Sequence, residues 1–373
     1  MKLAVVTGEA SGDLHAAEVI HTLREIDSSL EIFGIGGERL LDEGLDAVHT
    51  IDELGVVGLF NVIKHYPMFK RVFNDVLERI DRDRPDAVLL VDYPDFNLRL
   101  ARKCKERGLE VIYYISPQLW AWRKGRIHHI RAYVDHMLVI FPFEEDLYRQ
   151  HGVPATYVGH PLLDQLDGVR KTERSLPRVD EPVRIGLMPG SRRLEIDTLL
   201  PSMLDALEVL SRSRAVAPFV VKATTIDRRQ LDAHLEGRSL DVEVRSGRDR
   251  AAVADADVVI CSSGTATLET AIIGVPLVVV YRLTPLSYLL AKRLVKLKSF
   301  SLVNIVAGRK IVPELLQDEV NGKSIAAAAL DILQPETYAR MLDDLSELRG
   351  KLGGRGAARR AAEKIATLTA SGS

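Results

Sequence analysis

The chain has 373 residues, 46% of them hydrophobic and 27% charged, with a formal net charge of −2. That is material for roughly two domains with cores of their own, and the charge balance argues against a nucleic-acid partner. Two distant cysteines, Cys104 and Cys261, exclude a disulfide scaffold and zinc-finger spacing, and they suit a reducing compartment.

The chain enters a strand directly over 2–8, so no leader peptide is expected. The longest strictly apolar or glycine run, 54–60, has seven residues, far short of the roughly 20 that span a bilayer. A cytoplasmic protein is expected, with surface attachment to a membrane left open. Strands are predicted at 3–7, 32–35, 87–92, 111–116, 136–141 and 156–159, alternating with helical patterns. A polar stretch over 164–182 reads as a linker. A second series of strands follows at 183–188, 219–223, 242–245, 258–262 and 277–281. Alternation of this kind predicts an α/β protein with two doubly wound domains of parallel strands, 1–163 and 183–340, and a C-terminal helical segment, 341–373. Ligands of such sheets bind beyond the carboxyl ends of the strands, so a cleft between the domains is the expected site.

The first strand runs into Gly8-Glu9-Ala10-Ser11-Gly12-Asp13. The spacing is not that of a dinucleotide fingerprint. Ser11 or Asp13 could simply cap a helix, but the position faces the expected cleft and makes Ser11, Gly12 and Asp13 candidates for acceptor binding. After the third predicted strand comes Asp92-Tyr93-Pro94-Asp95-Phe96-Asn97. Carboxylates at a strand's carboxyl end are candidates for a general base. Asp95 precedes a helical pattern and would also serve as its cap, so Asp92 is the first choice, with Asp95 and Glu9 behind it. Ser116 to Arg123 contains both tryptophans, Trp120 and Trp122, which either stack on a sugar or line an acyl pocket, or form a buried aromatic plug.

Leu187-Met188-Pro189-Gly190-Ser191-Arg192-Arg193 and Cys261-Ser262-Ser263-Gly264-Thr265-Ala266-Thr267-Leu268-Glu269 are each an apolar strand ending in a small-residue turn that opens a helix. Such helix starts offer unpaired N–H groups and a positive dipole end to a phosphate. Gly190, Ser191 and Arg192 form one half of a nucleotide-diphosphate cradle; Ser262, Ser263, Gly264, Thr265 and Ala266 form the other. Glu269, four residues beyond Thr265, is placed to accept from ribose hydroxyls. The plain alternative is a pair of capped helices with solvated side chains.

Asp255-Ala256-Asp257 has D-x-D spacing but precedes its strand, at the wrong edge of the sheet, and the ten histidines show no H-E-x-x-H pattern. No metal and no cofactor is expected. The stretch 54–73 carries Val57, Phe60, Ile63 and Phe69 among interspersed Lys and Arg. Its large apolar residues exceed what one helix face needs, which suggests a lipid-facing patch. A second basic amphipathic stretch covers 288–300.

Taken together, these motifs, with Leu290 to Lys296 and Ser301-Leu302-Val303-Asn304, resemble in order and spacing the lipid-A-disaccharide synthases, over essentially the whole chain to about Leu316. Tyr93 stands where that family's pattern has alanine. The resemblance implies two Rossmann-like domains facing across a cleft, the type B glycosyltransferase arrangement. It also implies condensation of UDP-2,3-diacylglucosamine with 2,3-diacylglucosamine 1-phosphate (lipid X) to the β-1,6-linked disaccharide 1-phosphate and UDP. Peripheral attachment to the inner face of the cytoplasmic membrane and homodimers are further implications. On this reading Asp92 takes the acceptor's proton, Arg192 and the Ser263–Thr265 N–H groups meet the charge on UDP, and Asn304 orients the donor. The alternatives are an epimerase acting on UDP-N-acetylglucosamine and a non-catalytic lipid carrier.

Overall fold

Runs such as Ala87–Val91, wholly apolar and wholly buried, form strands covered on both faces. The computed structural model describes residues 1–55, 62–117, 119, 125–169, 175–247, 250–283 and 299–371, with the side chains at 54, 55, 62–66 and 371 left aside. The chain divides into two compact units, 1–164 with 354–373, and 165–353.

The first unit holds β1 (Lys2–Val6), β2 (Glu31–Gly36), β3 (Asp46–Thr50), β4 (Ala87–Val91), β5 (Glu110–Tyr114), β6 (His136–Val139) and β7 (Ala155–Tyr157). All pair in parallel, in the order β3-β2-β1-β4-β5-β6-β7. The chain builds outward from β1, returns to β4, and builds outward the other way. The point of reversal, between β1 and β4, is where loops part and leave a crevice at the strands' carboxyl ends.

The helix Val62–Asp83 buries Val72, Val76, Leu77 and Ile80, a three-to-four-residue spacing that puts one face on the core. The last helix, Ala357–Ser371, belongs to this unit and packs on Ala10–Ile26. Its first turn is capped by Asp164, which accepts from the N–H groups of Gly356 (2.7 Å) and Ala357 (3.0 Å). Arg360 fastens the same helix to the end of β7 by donating to the Val158 carbonyl at 2.8 Å.

The second unit holds β8 (Val183–Met188), β9 (Val216–Lys222), β10 (Glu243–Ser246), β11 (Val258–Ser262), β12 (Leu277–Tyr281) and β13 (Glu314–Leu316). These are again parallel, in the order β10-β9-β8-β11-β12-β13, with the reversal between β8 and β11. Asp257 lies at the amino-terminal edge of this sheet, where it accepts from the Arg184 N–H at 2.8 Å. Asp255 pairs with Arg245. The two carboxylates of the D-x-D spacing are thus directed to structural partners. Among the described residues, no helix is long and apolar enough to cross a membrane.

Candidate active site

Both reversal points carry the motifs singled out in the sequence: Gly8–Asp13 follows β1, Asp92 follows β4, Pro189–Arg192 follows β8 and Ser263–Thr265 follows β11.

At the first reversal point, the chain leaves β4 through two successive left-handed residues, Asp92 and Tyr93, each with φ near +47°. This region is sparsely populated outside glycine, and such residues gather at functional sites. The Tyr93 ring folds back over Gly8, where a Cβ would stand 2.1 Å from it, so residue 8 must lack a side chain. Tyr93 also stacks on Phe96, ring centroids 5.8 Å apart. Burial, and secondarily the charge of Glu9, push the Asp92 carboxyl up to about 6. Asp95, by contrast, is exposed and ion-paired with Arg126. Glu9 is exposed at the start of the helix Ala10–Ile26. Of the three acidic candidates, only Asp92 is withdrawn from the surface.

The acceptor candidates separate. Ser11 is exposed, and Gly12 is buried where an added Cβ would stand 3.7 Å from that of Thr7. Asp13 does not face a ligand: it is buried, and its carboxylate accepts from the N–H groups of Gly37 (2.6 Å), Arg39 (3.0 Å) and Leu40 (3.3 Å). It caps the helix Glu38–Asp42, because buried N–H groups at a helix start need an acceptor. Phe69 also turns inward, packing against the core with its ring 6.5 Å from Phe96, rather than outward to lipid. Trp120, Trp122, Val57, Phe60 and the side chain of Ile63 lie outside the described residues, as does most of the basic stretch 288–300.

The two predicted phosphate cradles also differ. After β8, Gly190 adopts φ +122° and lies directly against Glu195, whose Oε2 would be 2.2 Å from a Cβ there. Glu195 accepts from the N–H groups of Ser191 (3.0 Å) and Arg192 (3.3 Å) and from the Arg192 guanidinium (3.1 Å). The helix Arg193–Ser211 therefore carries its own anion at its amino end, and the Ser191 side chain does not cap it. What this loop presents outward is Arg192, whose side chain is 70% exposed while anchored by Glu195.

After β11, the Ser263 N–H is taken by the Val280 carbonyl at 3.0 Å. The N–H groups of Gly264, Thr265 and Ala266 head the helix Thr265–Ile273 with no backbone partner among the described residues, and Gly264 and Thr265 are exposed. The open cradle is thus one residue further on than Ser263. Ser262 is buried. Glu269 lies one helical turn in. Burial raises its carboxyl while Arg250, 3.4 Å away, opposes that shift. Arg250 was not among the sequence candidates; its only signal was a basic run ahead of β11.

Asn304, expected to orient the donor, has its amide engaged within the fold. It is buried, its Oδ1 accepts from the N–H groups of Ile311 (2.7 Å) and Val312 (3.0 Å), and its Nδ2 donates to the Val312 carbonyl (3.0 Å). With Glu314, which accepts from Ser301 N–H at 2.8 Å, it braces the segment leading into β13.

Comparison with known proteins gives the family. A sequence model of the lipid-A-disaccharide synthetase family matches residues 3–367. The chain is 41% identical over 372 residues to the lipid-A-disaccharide synthase of Myxococcus xanthus (strain DK1622), covering 98% of this chain and 97% of that one. It is 42% identical over 370 residues to that of Syntrophus aciditrophicus (strain SB), with the same coverage. In fold it is similar to the UDP-GlcNAc 2-epimerase of Neisseria meningitidis bound to UDP-GlcNAc (TM-score 0.63, 12% identity, 98% of this chain and 100% of that one). It is similar too to the calicheamicin glycosyltransferase (TM-score 0.61, 14% identity, 98% and 97% covered). At such identities the likeness is one of fold, two Rossmann-like units, and carries no activity across. The sequence match is of another order, and the chain belongs to the lipid-A-disaccharide synthase family of glycosyltransferases.

Proposed function

We propose that this enzyme joins UDP-2,3-diacylglucosamine to 2,3-diacylglucosamine 1-phosphate by an inverting displacement. The acceptor's 6-hydroxyl attacks the anomeric carbon of the α-linked donor, Asp92 takes the hydroxyl proton, and UDP departs from the opposite face. A carboxylate with a proton affinity near pH 6 is suited to this step: it is ionised at neutral pH, yet basic enough to accept a proton as the C–O bond forms. The observation that carries the reading is Asp92, partly buried on a left-handed turn at the reversal point of the first sheet.

The leaving diphosphate is met by the N–H groups of Gly264–Ala266, the positive end of the helix Thr265–Ile273 and the exposed Arg192 guanidinium. Glu269 holds the ribose. Neutralisation by the chain's own groups makes a divalent cation unnecessary in this scheme. The acyl chains of both substrates favour action at the inner face of the cytoplasmic membrane, with the enzyme attached peripherally, and assembly as a homodimer belongs to the same reading. The epimerase alternative has no use for an acylated acceptor.

The test is UDP release from UDP-2,3-diacylglucosamine, with and without lipid X, in excess chelator, by wild type and Asp92→Asn. Release that requires lipid X and falls about a thousandfold or more in the variant is expected for loss of a general base. Release without acceptor, or an active Asp92→Asn enzyme, refutes the scheme.

A further inference from the structure

We infer that Asn97 and Tyr113 are positioning residues, which together grip the Asp92 carbonyl and hold the left-handed turn that aims the Asp92 carboxylate. The inference rests on the reading of Asp92 as base. Two consecutive left-handed residues do not persist unless their surroundings over-determine them. Here the surroundings are specific. The Asp92 carbonyl accepts from Asn97 Nδ2 at 2.8 Å and from the Tyr113 hydroxyl at 2.5 Å, and the Asp92 N–H donates to the Tyr114 carbonyl at 3.0 Å.

The Asn97 NH2 group also reaches the carbonyls of Val91 (3.2 Å) and Val6 (3.3 Å), so one buried amide ties the ends of β1 and β4 to the turn that follows β4. Its own oxygen is buried without a partner among the described residues. Turning the amide over would aim that oxygen at three carbonyls, so the side chain is held for its donor end. A buried acceptor left unpaired destabilises the fold and is retained only where the arrangement brings something in return. The return is the aim of a single carboxylate.

Among the described residues, the titratable and charged groups near that carboxylate come from several elements. Glu9 and His15 stand at the cap and in the body of the helix after β1, Tyr93 on its own turn, Tyr113 on β5, Asp95 in the first turn of the helix Pro94–Lys105, and Arg126, paired with Asp95, in the helix Arg126–Tyr133. Loosening the turn lets the carboxylate reach water. Its proton affinity then falls toward the ordinary range, because burial is what raised it.

The experiment compares Tyr113→Phe and Asn97→Ala with wild type in steady-state rate against pH, in UDP affinity and in thermal midpoint. Tyr113→Phe is expected to lower kcat about tenfold and Asn97→Ala about a hundredfold, the scale of a misplaced catalytic group. Both should leave donor KM and UDP affinity within about twofold. The midpoint of the acid limb should move down by about one pH unit. Tyr113→Phe keeps the ring and its packing, so it carries the test alone if Asn97→Ala does not fold. A folded Tyr113→Phe enzyme with wild-type kcat overturns the inference, and so does a lowered kcat with an unmoved midpoint. Asp92→Asn run beside them separates the two levels. If that variant is inactive while Tyr113→Phe is like wild type, only the inference fails; if it is active, the base assignment fails.

Discussion

Replacing Asp92 with asparagine should make the protein more stable while disabling it. Holding this carboxyl at about 6 against an ordinary 3.8 means that the folded state binds its proton more tightly than the unfolded state. Stability from this group is therefore greatest at low pH and is lost as pH rises through the window between those two values. Converted by linkage, the ionised carboxylate destabilises the fold by about 3 kcal/mol at pH 7.5 and by only about 1 kcal/mol at pH 4.5. Asparagine carries no charge, tolerates left-handed backbone and matches the shape. Urea unfolding of wild type and variant at the two pH values should therefore show a gain of about 3 kcal/mol at pH 7.5 that shrinks to about 1 kcal/mol at pH 4.5. A gain equal at both values, or a loss at both, would refute the claim that burial strains this carboxylate.

Three further outcomes follow from the same geometry. Arg192→Ala should weaken UDP binding and turnover by about a hundredfold or more, as removal of a preorganised donor does, and calorimetry would read the affinity directly. Glu195→Ala frees two N–H groups and unanchors Arg192; thermal stability should drop by about 1 kcal/mol for the lost cap, and UDP affinity should fall severalfold. That affinity effect should vanish in an Arg192→Ala background if Glu195 acts through the guanidinium. Asp164→Ala removes the cap of the last helix and should cost about 1 kcal/mol, seen as exchange of the Gly356 and Ala357 amides.

The central strands and both reversal points could be read from the sequence because buried parallel strands are near-continuous apolar runs ending in small-residue turns, as in 87–91 and 258–262. β3 and β13 could not. Each is a short edge strand, and Asp46-Ala47-Val48-His49-Thr50 is half exposed with no apolar run to betray it. Polar residues hid more. Asp13 and Asn304 are the right types for ligand contact, but their partners are backbone groups brought close only by folding, 24 to 27 residues away for Asp13. Glu195 followed Arg192 at the spacing of a capping box, and it escaped notice because the residue at the cap is arginine rather than serine or threonine. The return of the final helix to the first unit was invisible for a related reason: its cap, Asp164, lies 192 residues before Gly356.

Diffraction from crystals soaked in UDP tests the central claim most directly. The account predicts the diphosphate on the N–H groups of Gly264, Thr265 and Ala266, within reach of Arg192, and the ribose on Glu269. A nucleotide found seated on the first sheet, or a diphosphate that contacts neither Arg192 nor the helix Thr265–Ile273, would contradict it.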